Sequence, residues 1–162
     1  MPSPLVVDAC CILNFAATGK SSEILSYWDG PLWVPEIVSR EAIKMDGKLI
    51  SYEGLTILPL ESSELPVFVD LAKELDDGEA ATLCLAFARE ATPATDDNKA
   101  IRIWKSKTSA TILGTAELLH SWSHSQRALE VALAIQSIES KARFTLARKH
   151  PLYDWWNSAK TA

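Results

Sequence analysis

The chain has 162 residues, 48% of them hydrophobic and 23% charged, and a formal net charge of -5. That size and balance fit one globular domain with a core of its own, and they exclude a disordered or strongly basic chain. Residues 1–122 hold 10 Lys and Arg against 18 Asp and Glu, whereas residues 123–162 hold 6 against 3, so an acidic body carries a mildly basic tail, an odd profile for a protein that merely coats nucleic acid.

In chain order, "PLVVD" reads as a strand from its branched apolar run, and "ACCILNFAATG" as a helix ended by Gly19. "LWVP" is a short strand, and "PEIVSREAIKM" a helix with Pro35 near its first turn. "LTILPL" is a strand that Pro59 assigns to a sheet edge. "SSELPVFVDLAKEL" and the alanine-rich "DDGEAATLCLAFAREA" are helical, "TPAT" is a short strand, and "DNKAIRIWKSK" a helix. "ATILG" reads as a further strand and "TAELLHSW" as a helix. The tail from Ser125 reads as one long helix, a break at Pro151 and a short aromatic end, packed onto the core. Strands alternating with helices predict a three-layer α/β/α sandwich on a mainly parallel sheet, residues 1–122, with a C-terminal helical extension, residues 123–162.

The three cysteines, Cys10, Cys11 and Cys84, include an adjacent pair but no CxxC, which suggests neither a disulfide framework nor a zinc site. Asp8 interrupts the first apolar run, and no basic segment precedes it, so the N-terminus makes a poor signal peptide. No apolar stretch approaches the ~20 residues a membrane helix needs. A soluble, cytoplasmic protein with no membrane association is expected.

Ligands of an open parallel sheet bind beyond the carboxyl ends of its strands. Asp8 follows the first strand directly, and Asp96 and Asp97 follow a later one. Glu79 opens one helix and Glu41 lies on another. Carboxylates gathered in one cleft repel, and magnesium or manganese is the usual remedy. Each residue also has an ordinary role: Asp8 and Asp96 or Asp97 as helix caps, Glu79 in a capping box with Asp76, Glu41 as a solvated charge. The case for a site rests on the set. His120 and His124 are spaced like a metal pair, but with no HExxH and no third ligand they read as surface residues.

The segments "LVVDACCILNFAATG", "VPEIVSREAI", "DDGEAATLCLAFARE", "TDDNKAIRIW" and "ILGTAELL" stand in the order seen in PIN-domain proteins. Over about residues 4–122 the chain resembles the branch with a Gly-Glu-Ala motif and an Asp-Asp-x-x-Ala-x-Arg motif, close to the VapC-like toxin ribonucleases. The resemblance implies a Mg2+- or Mn2+-dependent endoribonuclease, the toxin of a type II toxin–antitoxin pair, with an RNA substrate, an antitoxin partner and a homodimeric state. It implies Asp8, Glu41, Glu79 and Asp97 as catalytic residues and Asp8, Glu79, Asp96 and Asp97 as metal ligands, with Asp96 the neighbour or alternate of Asp97. Lys99 and Arg102 are candidates for substrate phosphate, with helix-surface pairing the more ordinary role. Two rival readings are a non-catalytic PIN-like scaffold and a receiver-like phospho-acceptor domain. Receivers, however, place their acidic pair after the first strand, whereas here the pair comes late.

Overall fold

The computed structural model describes residues 2–46 and 54–162, and the side chains of residues 43–46 lie outside that description. Strands β1 (Leu5–Val7), β2 (Leu32–Pro35), β3 (Leu55–Leu58) and β4 (Thr92–Ala94) form one sheet in the order β3-β2-β1-β4, every neighbouring pair parallel. β1 is central and wholly buried. A strand covered on both faces needs a continuous apolar run, which "LVV" supplies. Pro93 lies within β4, where an edge strand tolerates the missing N–H, and β3, followed by Pro59, is the opposite edge as expected.

Two helical layers cover the sheet. On one face, α1 (Ala9–Thr18), α2 (Ser21–Ser26), α3 (Glu36–Asp46), α7 (Thr115–Ser123), α8 (Ala128–Lys141) and α9 (Tyr153–Ala159) contribute to a core with Leu5, Val7, Phe15, Val38, Trp122, Ile135 and Trp156. On the other, α4 (Leu65–Ala72), α5 (Asp77–Ala88) and α6 (Asn98–Lys107) bury Leu71, Leu83 and Trp104 against Val6. Leu5 and Val7 therefore face one layer and Val6 the other, the two-residue alternation of a strand. This is the α/β/α arrangement expected, with α8 docked on α1 and α9 on α8. No helix among the described residues is long and apolar enough to cross a membrane.

Two expectations need correction. "ATILG" is not a strand: a single bridge joins Leu113 to Ala94, because Ser109–Thr111 are exposed and leave only Leu113 against the sheet. The tail helix ends at Lys141, well before Pro151. Arg143 takes a left-handed φ of 55° and the Phe144 N–H reaches back to the Ile138 carbonyl at 3.4 Å, a helix stop made without glycine. The aromatic end packs against α7 and α8. Trp156 is 1% exposed with its Nε1 donating to Glu139 Oε1 at 3.0 Å, and the half-buried Trp155 packs on His120, ring centroids 4.7 Å apart.

Candidate functional site

The first carboxylate is fixed by the sheet itself. Asp8 continues β1, its N–H donating to the Ala94 carbonyl at 2.9 Å, and its Oδ1 caps α1 by accepting from the Ala9 N–H at 2.8 Å. Oδ2 accepts from the Thr95 hydroxyl at 2.8 Å. The residue is only 4% exposed. Burial pushes its carboxyl from the ordinary 3.8 up to about 6, with Thr95 and Ala9 partly offsetting that and the Asp76 charge adding to it.

Asp76 and Glu79 stand at the start of α5 in a reciprocal capping box, Asp76 Oδ1 accepting from the Glu79 N–H at 2.8 Å and Glu79 Oε2 from the Asp76 N–H at 3.3 Å. Glu79 is pushed from 4.5 up to about 8 by burial, then by the charges of Asp76, Asp97 and Asp8. Glu41 comes from α3. Its carboxyl is raised by burial and by Asp76, Asp8 and Asp77, against a lowering hydrogen bond from the Gly78 N–H. Asp97 caps α6, its Oδ1 accepting from the Ala100 N–H at 2.8 Å, and its own N–H reaches the Thr95 hydroxyl at 3.3 Å. Thr95 thus ties the ends of two strand–helix junctions together.

Asp8, Glu41, Asp76, Glu79 and Asp97 therefore lie in one electrostatic neighbourhood. None of the ion pairs among the described residues involves any of them. Three helix N-termini, those of α1, α5 and α6, aim their partial positive charge into the group. Asp96 faces elsewhere. Its Oδ1 accepts from the Thr115 N–H at 2.8 Å, and its Oδ2 from the Thr115 hydroxyl at 2.5 Å, Asn14 Nδ2 at 3.1 Å and Cys11 Sγ at 3.7 Å. Burial raises its carboxyl, with Glu117 adding to the rise.

Sequence reading passed over Asp76, whose capping role accounts for it locally, and Thr95, a small polar residue with no motif of its own. The "DDGE" run and the threonine one residue before the acidic pair were the available signals. The surface pairing expected of Lys99 and Arg102 is absent among the described residues: both are exposed on α6 and neither enters an ion pair. His120 is half-buried between His124 and Trp155, its rings edge-on to both.

A family model described as a PIN domain (DUF3368) matches residues 4–150, further along the chain than the sequence motifs reach. No curated protein and no solved structure matches the chain.

Proposed function

Since the chain belongs to the PIN-domain family, a nuclease fold, we propose that it is a metal-dependent endoribonuclease. The observation that carries this reading is the unneutralised acidic group: Asp8, Asp76, Glu79 and Asp97 at the starts of α1, α5 and α6 and Glu41 within α3, with Asp8 and Glu79 held up to about 6 and about 8. Such a set costs the fold stability unless a cation is bound. All its donors are oxygens, which fits magnesium or manganese.

In this reading Asp8, Glu79 and Asp97 hold the ion. Asp97 is preferred to Asp96 because its charge is among those acting on Glu79, whereas the Asp96 carboxylate is turned towards Thr115 and Asn14. The chemistry supplied by a bound magnesium or manganese ion is polarisation of a phosphoryl oxygen and activation of water. Thr95 fixes the Asp8 carboxylate, and Glu41, held over the start of α5, orients the attacking water or takes part in binding a second ion. Glu79, its carboxyl raised to about 8, would have to lose its proton to serve as a ligand, so metal affinity would rise with pH. Lys99 and Arg102, exposed on the helix that Asp97 opens, are the candidates for substrate phosphate in this reading.

The finer assignment is a toxin neutralised by an antitoxin and associating with a second copy. Exposed apolar side chains support a partner: Leu65, Val67 and Val69 on α4, Leu129 and Leu133 on α8. The experiment is expression with and without the neighbouring gene product, followed by sizing and an RNA cleavage assay in Mg2+ or Mn2+. Growth arrest relieved by the neighbour supports the toxin reading. Unaffected growth together with no metal-dependent cleavage favours the non-catalytic scaffold.

A further inference from the structure

Cys10 and Cys11 are adjacent in the first turn of α1. Neighbouring residues on a helix diverge by about 100°, yet here both sulfurs come close to one Asp96 oxygen. The Cys10 and Cys11 sulfurs and an Asp96 oxygen lie within 4.8 Å of one another. Cys11 Sγ donates to Asp96 Oδ2 at 3.7 Å, the Asp96 N–H donates to Cys10 Sγ at 3.3 Å, and the Cys10 thiol donates to Asp8 Oδ2 at 3.8 Å. Both cysteines are free thiols, Cys11 buried and Cys10 half-buried, so Cys10 opens the cluster to the surface.

One edge of the cluster has the length that a tetrahedral d10 cation needs. With metal–sulfur bonds of about 2.3 Å and a metal–oxygen bond of about 2.0–2.2 Å, tetrahedral ligand atoms stand about 3.5–3.8 Å apart. The Cys11 Sγ to Asp96 Oδ2 edge is already 3.7 Å. Two sulfurs and one oxygen also select against magnesium and manganese, which take oxygen donors.

We propose that Cys10, Cys11 and Asp96 form a binding site for a thiophilic divalent cation, Zn2+ or Cd2+, separate from the carboxylate group around Glu79. On loading, each thiol releases its proton to solvent as its sulfur–metal bond forms, Asp96 supplies the third protein ligand, and a fourth position stays open to solvent. The site stands without the nuclease reading. If that reading also holds, loading has a consequence for it: Cys10 Sγ is 3.8 Å from Asp8 Oδ2, so the bound charge competes for the carboxylate that the hard cation needs.

The test is titration of the full-length protein with Cd2+, followed by the ultraviolet sulfur-to-cadmium charge-transfer band. Saturation at one equivalent is expected, with Zn2+ displacing the signal and excess Mg2+ leaving it. Cys10→Ser and Cys11→Ser should each lose about half of the amplitude and weaken binding roughly tenfold or more, in line with the sensitivity of metal sites to their surroundings. Asp96→Asn should weaken binding at undiminished amplitude. Cys84→Ser, in the opposite layer, should change nothing. A second measurement needs no variant: Zn2+ should slow maleimide labelling of Cys10 in the wild-type protein. No band, an unchanged band in both Cys10→Ser and Cys11→Ser, or Cys10 labelling indifferent to Zn2+ would overturn the proposal. RNA cleavage enters none of these readouts, so failure of the nuclease reading leaves them intact.

Discussion

Gly78 leaves room for the Glu41 carboxylate: a Cβ at position 78 would come within 2.9 Å of Glu41 Cδ and overlap its Oε2. Gly78 is helical, with no left-handed φ, so its absence of a side chain serves Glu41 rather than backbone geometry. Gly78→Ala should therefore fold normally, since alanine's helix preference of about 1 kcal/mol offsets the displaced contact. Glu41 swings away in that variant. Cleavage should fall roughly tenfold, about 1.4 kcal/mol in barrier, while the melting temperature holds. Unaltered cleavage would show that Glu41 takes no part.

The Thr95 hydroxyl donates to Asp8 and accepts from the Asp97 N–H. Thr95→Val keeps the shape and removes both bonds. We expect a loss of about 2 kcal/mol, typical for hydrogen bonds to a charged group, and an Asp8 carboxyl that titrates higher still. Mn2+ affinity should drop more at pH 6 than at pH 8. Isothermal titration at the two pH values checks this, and an equal drop at both would contradict it.

Asp8 rises from 3.8 to about 6 and Glu79 from 4.5 to about 8 on folding. Folded-state values above the unfolded ones mean that the folded protein binds more protons than the unfolded chain between about pH 4 and 8, so stability falls as pH rises through that window. Asp8→Asn removes the nearly buried share of this effect and should stabilise the protein by up to about 3 kcal/mol at pH 7 and above. Mn2+ should flatten the wild-type profile in the same way. Thermal unfolding from pH 5 to 8, with and without Mn2+, reads this out; stability that rises with pH would count against it.

Away from the site, Arg89 clamps the 6%-exposed Glu64 with Nε at 2.9 Å and Nη2 at 2.8 Å, and its Nη2 also donates to the Pro59 carbonyl at 3.1 Å. The guanidinium holds the Glu64 carboxyl below its usual range. Arg89→Ala leaves that carboxylate unpaired and should cost about 3 kcal/mol while metal affinity stays unchanged. Chemical denaturation and Mn2+ titration of the same variant separate the two effects.

The fold was legible because its signals are local and mutually consistent: the branched apolar run of "PLVVD" marks a strand, and Gly19, in a left-handed conformation with φ 70°, ends α1 where the pattern stops. What escaped lacks local punctuation. The six-residue α2 is too short to show a period, and α8 stops at Arg143 through a left-handed residue that is not glycine. "ATILG" has strand composition but only Leu113 reaches the sheet, and which residues a loop buries is a tertiary fact. The same holds at the site. Strand ends identified Asp8 and the Asp96–Asp97 pair, but not which member of that pair faces Glu79. Asp76 was hidden by its own capping box, which explains the residue without reference to the carboxylates across from it.

The central claim is that the acidic group around Asp8 and Glu79 holds a divalent ion with which the protein cuts RNA. The most direct measurement is cleavage of a structured RNA by purified wild-type protein and by Asp8→Asn, in Mn2+ and in EDTA. The account predicts internal cleavage by the wild type in Mn2+ alone, and a loss of roughly a hundredfold or more in Asp8→Asn, about 2.7 kcal/mol in barrier, from a variant at least as stable as the wild type. Cleavage that survives EDTA, or that Asp8→Asn performs as well as the wild type, would contradict it.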